Sequence, residues 1–225
     1  MEKMMMTDKK KRTYDAARTK AIILDAAEGL FAEHGYSATR IDAIADAAGY
    51  NKSLIYQYFK DKLGLYTEVV KRADLFGNKM LEEQAGDLLK DETTASDPNK
   101  FRQLLEQVVD FSYQLLMDNP RYLKIFAWEA AEDWKTWKKI AYNPDDFSRL
   151  YELALAAKEN GMIRRDMEPV MVPMILMNTV IPFLQSFRRY SEIFPDDRMP
   201  PMTQEQFREQ IAKFVIYGVM EPSVL

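Results

Sequence analysis

A short segment, NKSLIYQYF at residues 51–59, carries polar side chains that could form hydrogen bonds along one side of a helix. These are Asn51, Lys52, Ser53 and Gln57, which in a helix would project from the side away from Ile55. Amides of Asn and Gln pair bidentately with adenine, Lys reaches guanine, and Ser can bond to several bases. The chemistry that this segment offers is therefore recognition of base edges in a DNA groove.

The residues before this segment have the spacing of a helix-turn-helix. Ala45 precedes Gly49 by four residues, which places a small side chain where two helices touch and a glycine where the backbone needs a positive φ. Asn51 is expected to cap the second helix, and Thr39 with Asp42 to form a capping-box-like start of the first. The inward positions are Ile44, Ala48, Tyr50, Ile55 and Tyr58. An ordinary helical hairpin is the alternative, and the flanking sequence decides against it.

Two further helices flank the motif. The pattern of Arg18 to His34 predicts an amphipathic helix that ends with Gly35 in the C′ position. After the motif, Asp61 is expected to cap a long helix that begins at Lys62.

These helices together resemble the amino-terminal region of the TetR family of transcriptional regulators. The resemblance covers about the first third of the chain, and Ser53 and Leu54 stand where the family often has Gly and Thr, which bears on the preferred DNA sequence. The matching residues are Ala26, Phe31, Gly35, Thr39, Ile44, Ala45, Gly49, Tyr56, Tyr58, Phe59, Lys62 and Leu65. The resemblance makes Tyr56 a phosphate contact, and Thr39 and Lys62, at helix amino termini, fit phosphate sites as well. The ring of Tyr58 is expected to lie in the core, and its hydroxyl is expected to contact the DNA backbone.

Composition limits the class of protein. The 225 residues are 47% hydrophobic, enough for a sizeable core, and the absence of Cys excludes disulfides and thiolate zinc sites. The net charge of -4 is uneven, since residues 1–72 hold 13 Lys and Arg against 10 Asp and Glu. The excess is concentrated in a basic tail, Lys9 to Lys20, which could follow DNA phosphates or simply be solvated. No secretory signal is evident, so a cytoplasmic protein is expected.

The remainder of the chain is predicted to be helical, which makes the fold class all-α. Helix starts are indicated by Asp97-Pro98, Asn119-Pro120, Asn143-Pro144 and the Thr203/Gln206 capping box. The predicted helices are 62–90, 98–118, 120–141, 144–160, 168–190 and 203–219. We expect two domains, a DNA-binding domain at 1–72 and a helical ligand-binding and dimerisation domain at 73–225.

The last two predicted helices are the richest in apolar side chains. The stripes run through Val170, Met174, Met177, Ile181 and Leu184, and through Phe207, Ile211, Phe214, Val215 and Val219. A monomer could bury both inside itself, whereas the family resemblance implies a four-helix interface with a second copy. The longest apolar stretch, 170–187, is short and interrupted for a membrane span, so no membrane partner is expected.

The resemblance also implies a cavity for a small-molecule effector in the second domain, with no cofactor or metal. Candidate lining residues are Phe111, Tyr113, Met117, Trp128, Tyr151, Met174, Met177 and Asn178. Asn178 and Thr179 stand among apolar neighbours, where a buried polar group needs a partner. Glu129, Glu132 and Asp133 alternate with tryptophans, which would suit a cationic aromatic ligand or simply form a solvated face.

The function that these features favour is a ligand-responsive repressor that binds a palindromic double-stranded DNA operator as a homodimer. Activation, or regulation without a ligand, is an alternative. An enzyme is less favoured, because the chain has one His, no Cys and no phosphate-cradling Gly loop, which leaves only carboxylate chemistry. A scaffold that binds protein through the helix-turn-helix is a third interpretation.

Overall fold

The computed structural model describes residues 2–140, 146–193 and 203–225 of the chain. The predicted helix start at Asn143-Pro144 lies outside these residues, and so do the side chains of Lys9 to Arg12 in the basic tail. The described residues confirm the all-α fold class.

The helices are numbered in chain order. They are α1 Glu2–Ala38, α2 Ile41–Ala48, α3 Lys52–Phe59, α4 Lys62–Lys90, α5 Pro98–Asp118, α6 Pro120–Ala131, α7 Asp146–Glu159, α8 Met171–Ile193 and α9 Gln204–Val219. Short 3-10 turns follow at Trp137–Lys139 and Pro222–Val224. The bounds of α4 and α5 are those predicted, while α1 begins well before the predicted Arg18.

Capping residues fix several helix ends as predicted. The Asp97 carboxylate accepts from the N–H groups of Asn99 and Lys100 at the start of α5, and Thr203 forms the capping box with Gln206 at the start of α9. Asn119 serves the preceding helix instead, because its side-chain amide donates to the Leu115 carbonyl at 2.9 Å. It therefore closes α5.

The predicted helix 120–141 is wrong beyond residue 131. Asp133 and Trp134 have positive φ values of 56° and 58°, a left-handed conformation that an α-helix cannot continue. The Trp134 N–H donates to the Glu129 carbonyl at 2.8 Å, which closes the end of α6. The chain then turns before the 3-10 segment at Trp137–Lys139.

The chain forms two compact units. The first comprises Met1–Asp74 together with Arg121–Tyr142, and the second comprises Leu75–Pro120 together with Asn143–Leu225. The domain boundary at 72 and 73 stays a prediction. The first unit contains a segment, residues 121–142, that lies far from its other residues in sequence.

The core of the first unit joins the helix-turn-helix to the flanking helices. Its buried side chains are Ile23, Ala27, Phe31, Ile41, Ile44, Ala45, Ile55, Phe59, Leu65, Tyr66, Val69, Val70, Ile125 and Ile140. Of the apolar stripe of the first helix, Ile23, Ala27 and Phe31 are part of this core, and Leu30 is partly buried against it. Ile125 and Ile140 show that residues 121–142 complete it.

In the second unit, α5 packs against α8 and α9, and α7 packs against α8. Successive turns of α5, α8 and α9 supply the buried residues Leu104, Val108, Leu176, Val180, Ile211, Val215 and Val219. Within the described parts of the chain, no helix is both long and apolar enough to cross a membrane.

Candidate nucleic-acid interface

The turn between α2 and α3 has the backbone that the Ala45 and Gly49 spacing predicts. Gly49 is left-handed, with φ 72° and ψ 26°, and its N–H donates to Asp46 at 3.2 Å. The Tyr50 N–H donates to Ala45 at 3.1 Å, so the end of α2 is closed by hydrogen bonds. Ala45 is buried where α2 meets the core. Because open space surrounds the Gly49 α-carbon, its positive φ alone accounts for the glycine.

The α3 helix separates a buried face from an exposed face. Ile55 and Phe59 are buried, whereas Lys52, Ser53 and Gln57 are exposed. Tyr56 is 42% exposed on the same outer side. The structure therefore places the predicted base contacts Lys52, Ser53 and Gln57 on one solvent-facing side of α3, together with Tyr56.

Asn51 caps α3, as predicted. Its side-chain oxygen accepts from the Leu54 N–H at 2.8 Å, which occupies one of the two acceptor positions of that oxygen. Its local role in the fold is therefore established by geometry, while its contact with adenine stays a prediction.

Lys52 forms an ion pair across the turn. Its ammonium lies 2.8 Å from the Asp42 carboxylate, and the hydrogen bond to Asp42 raises the pKa of Lys52. Both side chains are exposed, and ion pairs between exposed side chains contribute little to stability. Lys52 can therefore leave Asp42 for a phosphate or a guanine at little cost.

Thr39 does not form the predicted capping box. The N-cap position of α2 is Arg40, which makes no side-chain cap bond, and Thr39 is 3% exposed. Its hydroxyl donates to the Gly35 carbonyl at 2.7 Å, with the Leu30 carbonyl 3.1 Å away. The break in α1 at Gly35 leaves carbonyls without helical partners, and Thr39 satisfies them. A phosphate contact through this hydroxyl is therefore not supported.

Gly35 breaks α1 near its end, with φ 74° and ψ 171°. A β-carbon there would lie 3.0 Å from the ring of Trp128, whose indole N–H donates to the Ala32 carbonyl at 3.3 Å. Trp128 therefore packs on the end of α1 within the first unit. Its predicted role as a ligand-lining residue stays a prediction.

The connection from α3 to α4 positions Lys62. Asp61 caps α4, as predicted, because its carboxylate accepts from the Gly64 N–H at 2.7 Å. The Lys62 ammonium lies 4.4 Å from the centre of the Tyr36 ring and donates to the Ser37 carbonyl at 3.3 Å. Burial lowers the pKa of Lys62. The amino terminus of α4 is thus fixed against the end of α1, next to the end of α3.

Tyr58 is half-buried against the core, and the Lys20 ammonium lies 5.3 Å from the centre of its ring. The predicted contact of its hydroxyl with the DNA backbone stays a prediction. Because Lys20 lies over Tyr58, a basic residue of α1 is held beside α3.

Residues 121–142 supply contacts that the sequence did not reveal. Glu129 is 3% exposed and accepts from the Tyr66 hydroxyl at 2.6 Å and from the Trp137 N–H at 3.0 Å. Glu132 accepts from the Ser37 hydroxyl at 2.8 Å. Glu129 is therefore neither part of a solvated acidic face nor free for a cationic ligand, the two interpretations of the sequence. Its bond to Tyr66 holds this segment to α4.

A charged cluster joins the same segment to α1. The Glu28 carboxylate is buried, is bonded by Arg72 of α4, and lies 3.4 Å from the guanidinium of Arg121. Isolated charged positions in sequence carry no signal of this pairing, because Arg121 and Glu28 are 93 residues apart.

The candidate ligand residues of the second unit divide into two groups. Tyr113 is buried, and its ring centre lies 6.1 Å from that of Phe207, which in turn lies 5.8 Å from Phe183. Phe111, Tyr151 and Met177 are half-buried, whereas Met117 and Met174 are exposed.

The interpretation of Asn178 and Thr179 as buried polar groups is wrong. Asn178 is exposed and its amide donates to the Met174 carbonyl at 2.8 Å, while the Thr179 hydroxyl donates to the Ile175 carbonyl at 2.6 Å. Side chains that bond to carbonyls of their own helix need no ligand. No cluster of potential metal ligands occurs among the described residues.

Comparison with known proteins places the helix-turn-helix in a family. Residues 23–69 match the model of the bacterial regulatory proteins of the tetR family. A transcriptional repressor of the helix-turn-helix type from Streptomyces coelicolor is 31% identical over 118 residues, which cover 52% of this chain and 53% of the relative. The transcriptional regulator AcrR from Shigella flexneri is 39% identical over 77 residues, or 34% of this chain and 36% of the relative. The chain thus spans about half the length of the first relative and about a third of the second.

The fold extends this likeness beyond the matched residues. The solved complex of SmeT with triclosan has a TM-score of 0.61 and 19% identity, and covers 92% of this chain and 94% of that one. At this identity the likeness concerns the fold alone. The helix-turn-helix geometry agrees with the match of residues 23–69 to the tetR family model, and the likeness to the solved structure shows that the rest of the chain has a similar fold.

Proposed function

We propose that the chain is a homodimeric transcriptional repressor that binds a palindromic DNA operator and is released by a small, largely apolar molecule. The observation that carries this proposal is the outer face of α3, where Lys52, Ser53, Tyr56 and Gln57 are exposed opposite the buried Ile55 and Phe59. A helix with such a face fits the major groove.

The exposed residues divide by role. Lys52, Ser53 and Gln57 contact base edges, and Tyr56 and Lys62 contact phosphates, which position the protein without carrying sequence information. Thr39 is omitted, because its hydroxyl is used inside the fold. Asn51 acts first as the cap that orients the start of α3.

Exposed apolar side chains on α8 and α9 support a dimer. Phe183, Phe214 and Tyr217 are 45%, 65% and 59% exposed, while Ile211 and Val215 of the predicted stripe are buried. The stripe is therefore divided, and its outward part remains for a second copy. A two-fold dimer presents two recognition helices to a palindromic site.

Repression and release by a ligand are supported by relatives and structural neighbours. The Streptomyces relative is named a repressor, and the SmeT structure is a complex with triclosan. A regulator named an activator, FasR of Mycolicibacterium smegmatis, is 46% identical over 50 residues, so activation is the second candidate. A transcription assay on the bound promoter, with and without the protein, distinguishes the two. Either activity would take place in the cytoplasm, where the DNA lies.

The ligand acts by binding two conformers of the protein unequally, since equal affinity would shift nothing. Apolar lining is offered in the second unit by Phe111, Tyr113, Tyr151 and Met177. Because linkage is reciprocal, operator DNA should weaken ligand binding by the factor by which ligand weakens DNA binding. Titration of triclosan, as a first probe, with and without operator measures this factor, and equal affinities would leave DNA binding without a switch.

Selection of bound duplexes from a random pool tests DNA binding directly. We expect an enriched palindrome, and sedimentation should show a dimer in the complex. Replacing Gln57 with Ala should change base preference at one position by about 1 to 3 kcal/mol, whereas Tyr56→Phe should weaken binding to all sequences alike. Gln84→Ala, which alters an exposed amide in the second unit, is the control. No enrichment, or only monomer, would refute the proposal.

A further inference from the structure

Three lysines stand on the segment that returns to the first unit. Lys135, Lys138 and Lys139, called here the lysine patch, are exposed and follow the end of α6. Lys135 lies 3.9 Å from Asp133, and for Lys138 and Lys139 the described residues provide no acidic partner. Two of the three ammonium groups are therefore not neutralised by a neighbour of opposite charge.

The backbone that carries the patch is held in place. Trp137 and Trp134 pack edge to face with ring centres 5.8 Å apart, and Ile140 is buried in the core of the first unit. Glu129 accepts from the Trp137 N–H in the interior. The lysines thus extend from a fixed turn and not from a free loop.

The patch lies next to the corner where α1 ends and α4 begins. Glu132 accepts from the Ser37 hydroxyl, and the Ser37 carbonyl accepts from the Lys62 ammonium. Lys135 follows Glu132 by three residues, so their α-carbons are at most about 11 Å apart. Lys62, whose ammonium bonds to the Ser37 carbonyl at this corner, is itself a proposed phosphate contact.

Charge also distinguishes this segment from the rest of the chain. Residues 121–142 hold five basic and three acidic residues, and with them the first unit has 18 basic against 14 acidic residues. Half of that positive excess comes from the returning segment, in a chain whose net charge is -4. The segment therefore adds to DNA attraction where the recognition helix already requires it.

We propose that the lysine patch contacts phosphates of the duplex that flanks the bases read by α3. This inference rests on the proposed DNA-binding function and extends the DNA contact surface beyond the helix-turn-helix. Because each phosphate contact adds about 0.9 to the slope of log K against log salt, the contact predicts a measurable change.

The test compares the salt dependence of binding to fluorescein-labelled, mixed-sequence duplexes of two lengths. The longer has about 40 base pairs, and the shorter about 16, which leaves little flank beyond two half-sites one helical turn apart. The full-length protein is compared with the double variant Lys138→Gln/Lys139→Gln by anisotropy from about 50 to 200 mM salt. On the longer duplex each protomer of the proposed dimer loses two contacts, so we expect the slope to fall by about 3.6. On the shorter duplex it should hardly change.

Two further variants control for charge and folding. Lys79→Gln/Lys90→Gln removes the same charge from exposed positions of the second unit and should leave the slope unchanged. Lys138→Arg/Lys139→Arg keeps the charge and should retain the wild-type slope. An unchanged slope for the glutamine variant, or an equal fall on both duplexes, would overturn the flanking contact. Failure of the wild-type protein to bind any duplex would instead refute the proposed function.

Discussion

The hydrogen bond between Tyr66 and Glu129 should be a principal link between residues 121–142 and the rest of the first unit. Both side chains are nearly inaccessible, and the hydroxyl and carboxylate oxygens are 2.6 Å apart. Burial, and then the hydrogen bond to Glu129, raise the pKa of Tyr66, so the hydroxyl is protonated and donates at neutral pH. Replacing Tyr66 with Phe removes only this donor.

The size of the effect follows from what remains after the substitution. The ring still packs against Phe31 and Tyr36, whose centres lie 4.9 and 5.1 Å away. The Glu129 carboxylate keeps the Trp137 N–H but loses its other donor in the interior. Hydrogen bonds to charged groups contribute about 1.5 to 3 kcal/mol, so Tyr66→Phe should lower the free energy of unfolding by that amount. For a chain of this size the melting temperature should fall by about 3 to 12 °C.

Denaturant and thermal unfolding followed by circular dichroism measure this change. Tyr122→Phe is the matched control, since Tyr122 is a buried residue of the same segment whose hydroxyl has no partner in the described part of the chain. In the double variant Tyr66→Phe/Glu129→Leu, the loss should be smaller than the sum of the single losses by about 1 to 3 kcal/mol. Equal losses for Tyr66→Phe and Tyr122→Phe, or strict additivity, would refute this reasoning.

Five further substitutions, at four positions, test local geometry by thermal unfolding. Gly64→Ala should lower the free energy of unfolding by about 3 kcal/mol or more, because its β-carbon would lie 2.1 Å from the Phe59 carbonyl oxygen. Gly218→Ala, in open space on α9, should instead raise the free energy of unfolding by about 0.4 to 1 kcal/mol. Asn51→Ala should lower the free energy of unfolding by about 1 kcal/mol and weaken binding to every DNA sequence, whereas Asn51→Ser should restore the cap. A change of base preference alone would contradict the capping role of Asn51. Lys158→Met should lower the free energy of unfolding by about 2 kcal/mol, because the Lys158 ammonium donates to three backbone carbonyls at 2.7, 2.9 and 2.9 Å. An unchanged melting temperature would show that water replaces the ammonium group.

The local features of the fold were predictable where one residue type has one strong physical reason to stand there. Gly49 requires a positive φ, Asn51 and Asp97 have short oxygen-bearing side chains suited to caps, and Pro98 fits a first helical turn. For the same reason the bounds of α4 and α5 were predicted correctly. The match of residues 23–69 to the tetR family model agrees with the prediction of a DNA-binding regulator.

The errors arise where hydrogen bonds and packing contacts, and not residue type alone, determine the local conformation. Thr39 is a residue type suited to a helix cap, but its hydroxyl is buried and donates to the Gly35 carbonyl instead. The predicted helix through residue 141 ignored the left-handed pair at Asp133 and Trp134, neither of which is a glycine. Such a conformation is unfavourable in isolation and persists only because surrounding contacts determine it. Helical periodicity alone cannot reveal those contacts.

The return of residues 121–142 changes how the two units can be coupled. The helix α4 begins at Lys62 in the first unit and continues into the second unit at residue 75. The chain also enters the first unit at Arg121 and leaves it after Tyr142. Glu28, Ser37 and Tyr66 bind the returning segment through side chains on α1 and α4. A ligand that displaced α6 would therefore act on the helices that hold α3, even if α4 itself did not move.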